Sequence, residues 1–117
     1  MPETRAIQGR DLGAEDDFIT QMLWRQVLAR VHAHRADYAE AERLARAAVA
    51  IGEQTDALIW QADALRDLAE VLAAAGLTEE AADALEQALD RYERKKNLPM
   101  AAQVRQKLQS LSAGGHP

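Results

Sequence analysis

The sequence predicts an all-α fold in which antiparallel helix pairs stack side by side. Apolar residues recur at the three- and four-residue spacing of amphipathic helices along most of the 117 residues. A shift of 40 residues superimposes the apolar positions, so that Leu28, Leu68 and Leu108 coincide. Such a repeat is typical of stacked structural units, and no segment shows the strict alternation of a β-strand. We therefore expect about two and a half helix pairs of 40 residues with a C-terminal capping helix.

Composition narrows the classes of function. The formal net charge of −5 leaves no basic surplus for nucleic acid or an anionic membrane. The chain has no cysteine, which excludes a disulfide frame, a thiolate nucleophile and a cysteine metal site. No apolar run approaches the roughly 18 residues of a membrane span, and no signal peptide precedes Asp17. We expect a soluble, cytoplasmic protein.

The first helix pair is predicted between Asp17 and Gly52. Asp16 or Asp17 offers an N-cap for the first helix. Asp37, with Glu40 three residues later, predicts a capping box for the second. The helices are expected over residues 17–35 and 38–52. The apolar residues that recur at helical spacing in the first helix are Phe18, Met22, Val27, Leu28 and Val31.

The remaining helices also have residues typical of helix starts and ends. Gly76 ends the third helix, since glycine enters the left-handed C-cap conformation without strain. Thr78 is predicted to cap the fourth helix, and Asn97 with Pro99 to open the last. These helices are expected over residues 56–75, 78–96 and 97–111. The domain is therefore expected over residues 17–112, with an N-terminal extension over 1–16, partly disordered or the remnant of an upstream repeat, and a disordered tail over 113–117.

The repeat resembles the tetratricopeptide repeat (TPR). In that family a large and a small residue share the first helix, a small residue marks the turn, and two alanines mark the second helix. Two positions differ from the family pattern. Arg25 and Leu65 stand where the family usually has tryptophan, and Glu53 and Glu93 stand where it has the closing proline. The resemblance implies a right-handed α-α superhelix without catalytic activity. The residues that carry it are Leu28, Ala29, His32, Ala36, Tyr38, Ala41 and Ala48 in the first unit, and Leu65, Leu68, Ala69, Leu72, Gly76, Ala81, Leu85 and Ala88 in the second.

A narrower resemblance rests on the phrases "LWRQVLARV", "AEAERLARAAVA", "DLAEVL" and "LDRYERKKN". They are similar to the C-terminal helical region of large bacterial signalling ATPases, including multidomain adenylate cyclases and transcriptional regulators. That likeness implies a module for partner sensing or self-association. The cyclase, ATPase and DNA-binding motifs of such proteins are missing from this chain, so their activities are not expected here.

Catalytic, metal and cofactor sites are not expected. His32 and His34 are two residues apart on a helix and point about 200° apart, so both cannot face one ion. No nucleophile motif, phosphate-binding glycine loop or dinucleotide fingerprint occurs. We expect His32 in the seam between helices and His34 near the groove.

Two binding surfaces are predicted for a protein or peptide partner. In the TPR class the first helix of each pair lines a concave groove. The groove residues would be Leu23, Gln26, Arg30, His34, Asp63, Arg66, Glu70, Gln103 and Gln106. The lysine and asparagine set that clamps a terminal carboxylate in chaperone-binding relatives has no equivalent.

The second predicted surface is the N-terminal face of the stack, which carries no capping helix. It would comprise Phe18, Ile19, Met22 and Trp24, and could support a homodimer. Trp24 aligns with Ala64 and Val104, which favours a core position for its ring, whereas Trp60 is expected to be half-exposed. The predicted function is non-catalytic protein binding or self-association. The alternative is a regulatory C-terminal fragment of a multidomain signalling enzyme or transcriptional regulator.

Overall fold

The computed structural model describes the backbone of residues 2–114 and the side chains of residues 17–112. Within that part of the chain it has five α-helices and no strand. The predicted all-α class and the number of main helices are confirmed. The helices are α1 (Pro2–His34), α2 (Tyr38–Gly52), α3 (Leu58–Ala74), α4 (Thr78–Arg94) and α5 (Leu98–Gly114).

The start of α1 differs most from its prediction. The helix runs from Pro2 through the expected boundary at Asp17. Pro2 suits a first turn because it has no N–H to satisfy, and no other proline occurs before Pro99. Of the predicted extension over residues 1–16, the structure therefore describes a helical backbone from Pro2 onward. The predicted tail over residues 113–117 lies outside the described residues, apart from the backbone of 113 and 114.

The positions of the helix ends were predicted better than the hydrogen bonds of their capping side chains. Asp37 precedes α2 as expected, but its carboxylate makes no capping hydrogen bond and lies 3.2 Å from His32 Nδ1 instead. Thr78 is the first residue of α4 rather than its cap, so that prediction is wrong by one residue. Asn97 does cap α5, because its Oδ1 accepts a hydrogen bond from Met100 N–H at 3.3 Å. Gly76 has φ +84°, as the predicted left-handed turn requires.

Small residues bring the helices of each pair together. Helix α2 packs between α1 and α3, and α4 packs between α3 and α5. The alanines that face these neighbours are buried, so the backbones can approach closely. They are Ala41, Ala45 and Ala48 in α2, and Ala81, Ala84 and Ala88 in α4.

Helix α3 lies at the centre of the stack. It packs against α1 and α2 on one side and against α4 on the other. Leu68 is buried and belongs to the main core cluster, as predicted. Ala64 belongs to a smaller cluster with Met22 and Ala48. The two helix pairs are therefore joined chiefly by apolar contacts of α3.

Tyr92 is a buried polar group at the end of α4. Its side chain is fully buried, and its hydroxyl donates a hydrogen bond to Asp63 Oδ1 on α3. Arg66 Nη1 lies 3.5 Å from the same hydroxyl. Burial and the neighbouring Asp63 carboxylate raise the pKa of the Tyr92 phenol well above its ordinary value. The hydroxyl therefore stays protonated as a donor that ties α4 to α3.

We expect Leu68→Ala to lower the free energy of unfolding by about 2–5 kcal/mol, because it removes a buried side chain and leaves a cavity. Urea denaturation followed by circular dichroism measures this. Leu98→Ala is the matched control, since Leu98 is 66% exposed, and should change stability by less than about 0.5 kcal/mol. Equal effects of the two substitutions would contradict the packing described for α3.

We expect Tyr92→Phe to lower stability by about 1.5–3 kcal/mol, the usual contribution of a hydrogen bond to a charged group. In the wild type, the folded state holds the phenol proton to higher pH than the unfolded chain does. Stability should therefore fall as pH rises above about 10.

The Tyr92→Phe variant lacks this alkaline component, and urea denaturation across that range measures it. Tyr38→Phe is the matched control for loss of a phenol hydroxyl in the other tyrosine. The same pH dependence in wild type and Tyr92→Phe would contradict the buried position of this hydroxyl.

Candidate interaction surfaces

A buried polar cluster joins α1 to α3. Asp67 is buried, and its Oδ2 accepts hydrogen bonds from Gln26 Nε2 at 2.8 Å and from Arg30 Nη1 at 3.0 Å. Arg66 Nη2 lies 3.8 Å from the other carboxylate oxygen. Burial raises the pKa of the Asp67 carboxyl, although Arg30 and Gln26 act in the opposite direction. Sequence reasoning missed Asp67, for which the available signal was a charge at the repeat position of Val27.

One predicted groove residue is not accessible. Gln26 is buried because its amide binds Asp67 in the seam between α1 and α3. Leu23 is exposed three residues before Gln26 and seven before Arg30, so it lies on the side of α1 that those residues share. The prediction of Gln26 as an accessible groove residue is therefore wrong, whereas that of Leu23 stays a prediction.

Other predicted groove residues line two adjacent clefts. Glu70 borders both, and Lys107 Nζ lies 3.4 Å from its Oε1. The cleft between α1 and α3 has a volume of about 220 Å³ and is lined by Arg30, Ala33, His34, Glu70, Val71 and Ala74. The cleft between α3 and α5, about 160 Å³, is lined by Ala69, Glu70, Ala73, Leu85, Lys107, Ser110 and Leu111.

The remaining groove residues lie apart from those clefts. Asp63 and Arg66 are partly buried beside the Tyr92 hydroxyl. Gln103 and Gln106 are exposed on α5. The structure thus brings Arg30, His34 and Glu70 together and leaves the other predicted residues dispersed.

An exposed apolar surface covers one side of α1. Positions i, i+1, i+4, i+5 and i+8 lie on one face of a helix, and this face is opposite the buried Met22 and Ala29. We call these five residues the outer face. Its members and their exposed fractions are Leu23 (44%), Trp24 (41%), Val27 (50%), Leu28 (39%) and Val31 (37%).

Three of these repeat positions are covered in the other first helices. Helix α3 packs against α1 and α2 with these three positions, whereas no described helix pair covers them in α1. Their exposure in α1 therefore follows from its place at the end of the stack. The counterparts of Trp24, Leu28 and Val31 are Ala64, Leu68 and Val71 in α3, all buried, and Val104, Leu108 and Leu111 in α5, buried or partly buried.

The predicted N-terminal face does not form one surface. Met22 is buried over Gly52, where an added Cβ would lie 2.8 Å from its Cε, so its predicted exposure is wrong. Phe18 and Ile19 are partly buried. Only Trp24 belongs to the outer face. The cleft beside Phe18, Ile19 and Met22 measures about 110 Å³, and its other lining residues are Thr55, Ala57 and Trp60.

Trp24 is exposed rather than in the core. Its indole N–H donates to Gln21 Oε1 at 3.3 Å, and the Arg25 guanidinium lies 4.1 Å from the ring centroid. The alignment with Ala64 and Val104 is right, but those residues are covered by a preceding helix and Trp24 is not. The prediction failed because repeat position alone does not specify burial. Trp60 is partly buried, as expected.

The described residues provide few groups arranged for metal binding or catalysis. Among them no three His, Cys, Asp or Glu side chains are grouped to hold a metal ion. His32 lies beside Asp37, and His34 borders the cleft between α1 and α3. None of the helices in this part of the chain is long and apolar enough to cross a membrane.

Comparison with known proteins gives one match, to a family model. The family model described as tetratricopeptide repeat matches residues 19–94, which is more than half of the chain and runs from within α1 to the end of α4. No curated protein and no solved structure matches the chain. The likeness to bacterial signalling ATPases therefore stays a prediction from the sequence. On the family match and the stacked helix pairs, the chain belongs to the tetratricopeptide repeat family.

Proposed function

We propose that this TPR chain is a protein-interaction module that pairs with a second copy of itself through the outer face of α1. TPR repeats are generally scaffolds for protein interaction. The observation that carries the proposal is the row of five large apolar side chains exposed on one helical face. A contiguous exposed apolar patch on a small domain is typical of an interaction site.

The opposite end of the stack explains why the partner is a second copy. In α3, the side toward α4 and α5 is buried and mostly aliphatic. The counterparts on α5 are exposed and largely polar, so a further copy could not stack there by apolar contact. The buried residues are Ala62, Leu65, Ala69 and Leu72 in α3, and their exposed counterparts are Ala102, Arg105, Gln109 and Ser112 in α5.

A chain with one apolar end and one polar end has few ways to cover the apolar end. Head-to-tail stacking would place the outer face against Arg105 and Gln109 and leave their polar groups desolvated. Symmetric pairing places apolar side chains against apolar side chains in both subunits. It also closes the assembly, so the expected product is a dimer and not a filament.

We expect Val27→Glu to convert the dimer into a monomer. Val27 is at the centre of the outer face and half-exposed in the single chain, so the substitution should leave the helical content unchanged. Burying a carboxylate on each side of the interface should raise the dissociation constant by roughly a hundredfold or more. Sedimentation equilibrium over a micromolar concentration series measures it.

Leu98→Glu is the matched control for Val27→Glu. Leu98 is a more exposed apolar residue at the start of α5, so the same charge is introduced away from the outer face. The control should dimerise like the wild type. A wild-type chain that is monomeric throughout the series would refute the proposal, as would equal weakening by both substitutions.

A second candidate function is peptide binding in the cleft between α3 and α5. Its walls include the apolar side chains of Ala69, Ala73 and Leu111, next to the Glu70–Lys107 ion pair. This combination would suit one aliphatic side chain of an extended peptide. Selection from a random peptide display library tests it, because Ala73→Leu would fill the cleft and abolish any enrichment seen with the wild type.

A regulatory role within a larger signalling enzyme or transcriptional regulator remains the alternative proposal. It is supported by the sequence resemblance alone. In that arrangement the outer face would be covered by another helix pair of the same polypeptide. The test is to fuse a further TPR helix pair before Met1. A dimer that forms with this chain alone and is lost in the fusion would favour that alternative.

A further inference from the structure

The charges that flank the outer face specify how two copies would meet. Resting on the self-association proposed above, we infer that the two α1 helices pack antiparallel, with Asp17 of each copy beside Arg35 of the other. A twofold axis then crosses α1 near residue 26. The inference concerns the orientation of the two copies within that dimer.

Asp17 and Arg35 lie on the same side of α1 as the outer face. They are 18 residues apart, which is about five turns at 3.6 residues per turn. Arg35 follows the last residue of α1, and its N–H donates to the Val31 carbonyl at 3.2 Å, so the helical path extends to it. Both side chains are exposed, one before the apolar row and one after it.

These two charges are available for a partner. Among the side chains that the structure describes, the nearby Arg30 pairs with Asp67 and His32 with Asp37, whereas Asp17 and Arg35 take part in no ion pair. The sequence strengthens the contrast between the two ends. The first end reads "EDD" over residues 15–17, and the second reads "HR" over residues 34–35.

Orientation follows from like and unlike charges. A parallel pair would bring the two acidic ends together and the two basic ends together, which is repulsive at both. An antiparallel pair brings each acidic end to a basic end. In antiparallel helix pairs the same flank of each helix meets its own counterpart, so Asp17 and Arg35, being on one flank, would face each other across the interface.

The charged and apolar parts also share one register. The midpoint between Asp17 and Arg35 is residue 26, and the midpoint between Leu23 and Val31 is residue 27. One antiparallel register therefore satisfies both sets of contacts. The charged ends are about 13 Å from the axis at 1.5 Å per residue, so a shallow crossing of about 20° keeps them within reach.

Cysteine cross-linking tests the orientation directly, because the chain has no cysteine of its own. Thr20 and Val31 are both exposed near the middle of this face. In the inferred register, residue 20 of one copy lies opposite residue 32 of the other, one residue from residue 31. Two copies of residue 20 would be about 18 Å apart along the helix axis, too far for a disulfide.

The experiment mixes a Thr20→Cys chain with a Val31→Cys chain of different mass and oxidises the mixture mildly. We expect covalent dimers that contain one chain of each kind. Neither variant alone should cross-link efficiently. Cross-linking of each variant with itself would indicate parallel helices and overturn the inference.

Charge reversal provides an independent measurement. Asp17→Arg and Arg35→Asp should each raise the dissociation constant about tenfold at low ionic strength, since each reversal affects two symmetric pairs. The double variant should return to within about threefold of wild type, and added salt should reduce all these differences. No rescue in the double variant would contradict the inferred pairing.

The two proposals fail in different ways. A wild-type chain that sediments as a monomer removes the proposed self-association, and this inference with it. A stable dimer that cross-links residue 20 with residue 20, or that shows no charge rescue, overturns only the antiparallel arrangement.

Discussion

Burial of α3 against both the first helix pair and α4 is the constraint on which the stack depends. One side presents Ala64, Leu68 and Val71 to the first helix pair, and the other presents Leu65 and Leu72 toward α4. An isolated helix pair has too little apolar area to bury by itself, so each pair depends on its neighbours. Helix α3 has a neighbour on both sides. Among the described helices, α1 and α5 each have a neighbour on one side only, so these helices leave their outer sides uncovered.

The outer sides of α1 and α5 differ in polarity. On α5 the repeat positions that would face a following pair have become polar, including Arg105 and Gln109, which water can solvate. On α1 the positions that would face a preceding pair are aliphatic or aromatic, with Trp24 and Leu28 among them. This difference is the basis of the self-association proposed for α1.

The polar seam between α1 and α3 adds specificity to a core that is otherwise aliphatic. Asp67 has no counterpart charge in α1, where the same repeat position is Val27. Its buried carboxylate would be unfavourable without the donors on Gln26 and Arg30. These donors are one turn apart on α1, so a shift of α3 along α1 would separate the carboxylate from them. Hydrogen bonding thereby selects one register among several that the apolar contacts alone would permit.

Local periodicity was sufficient to predict the helices, the 40-residue register, the limits of α2 and the burial of Leu68. Each depends on side chains close together in the sequence or on the repeat itself. The limits of the exposed surface could not be predicted in this way. Trp24 and Leu28 occupy repeat positions that are buried in α3, and Gln26 a position predicted for the groove, yet the first two are exposed and the third is buried. Burial depends on whether another helix covers a side chain, and that is decided only when the pairs are assembled.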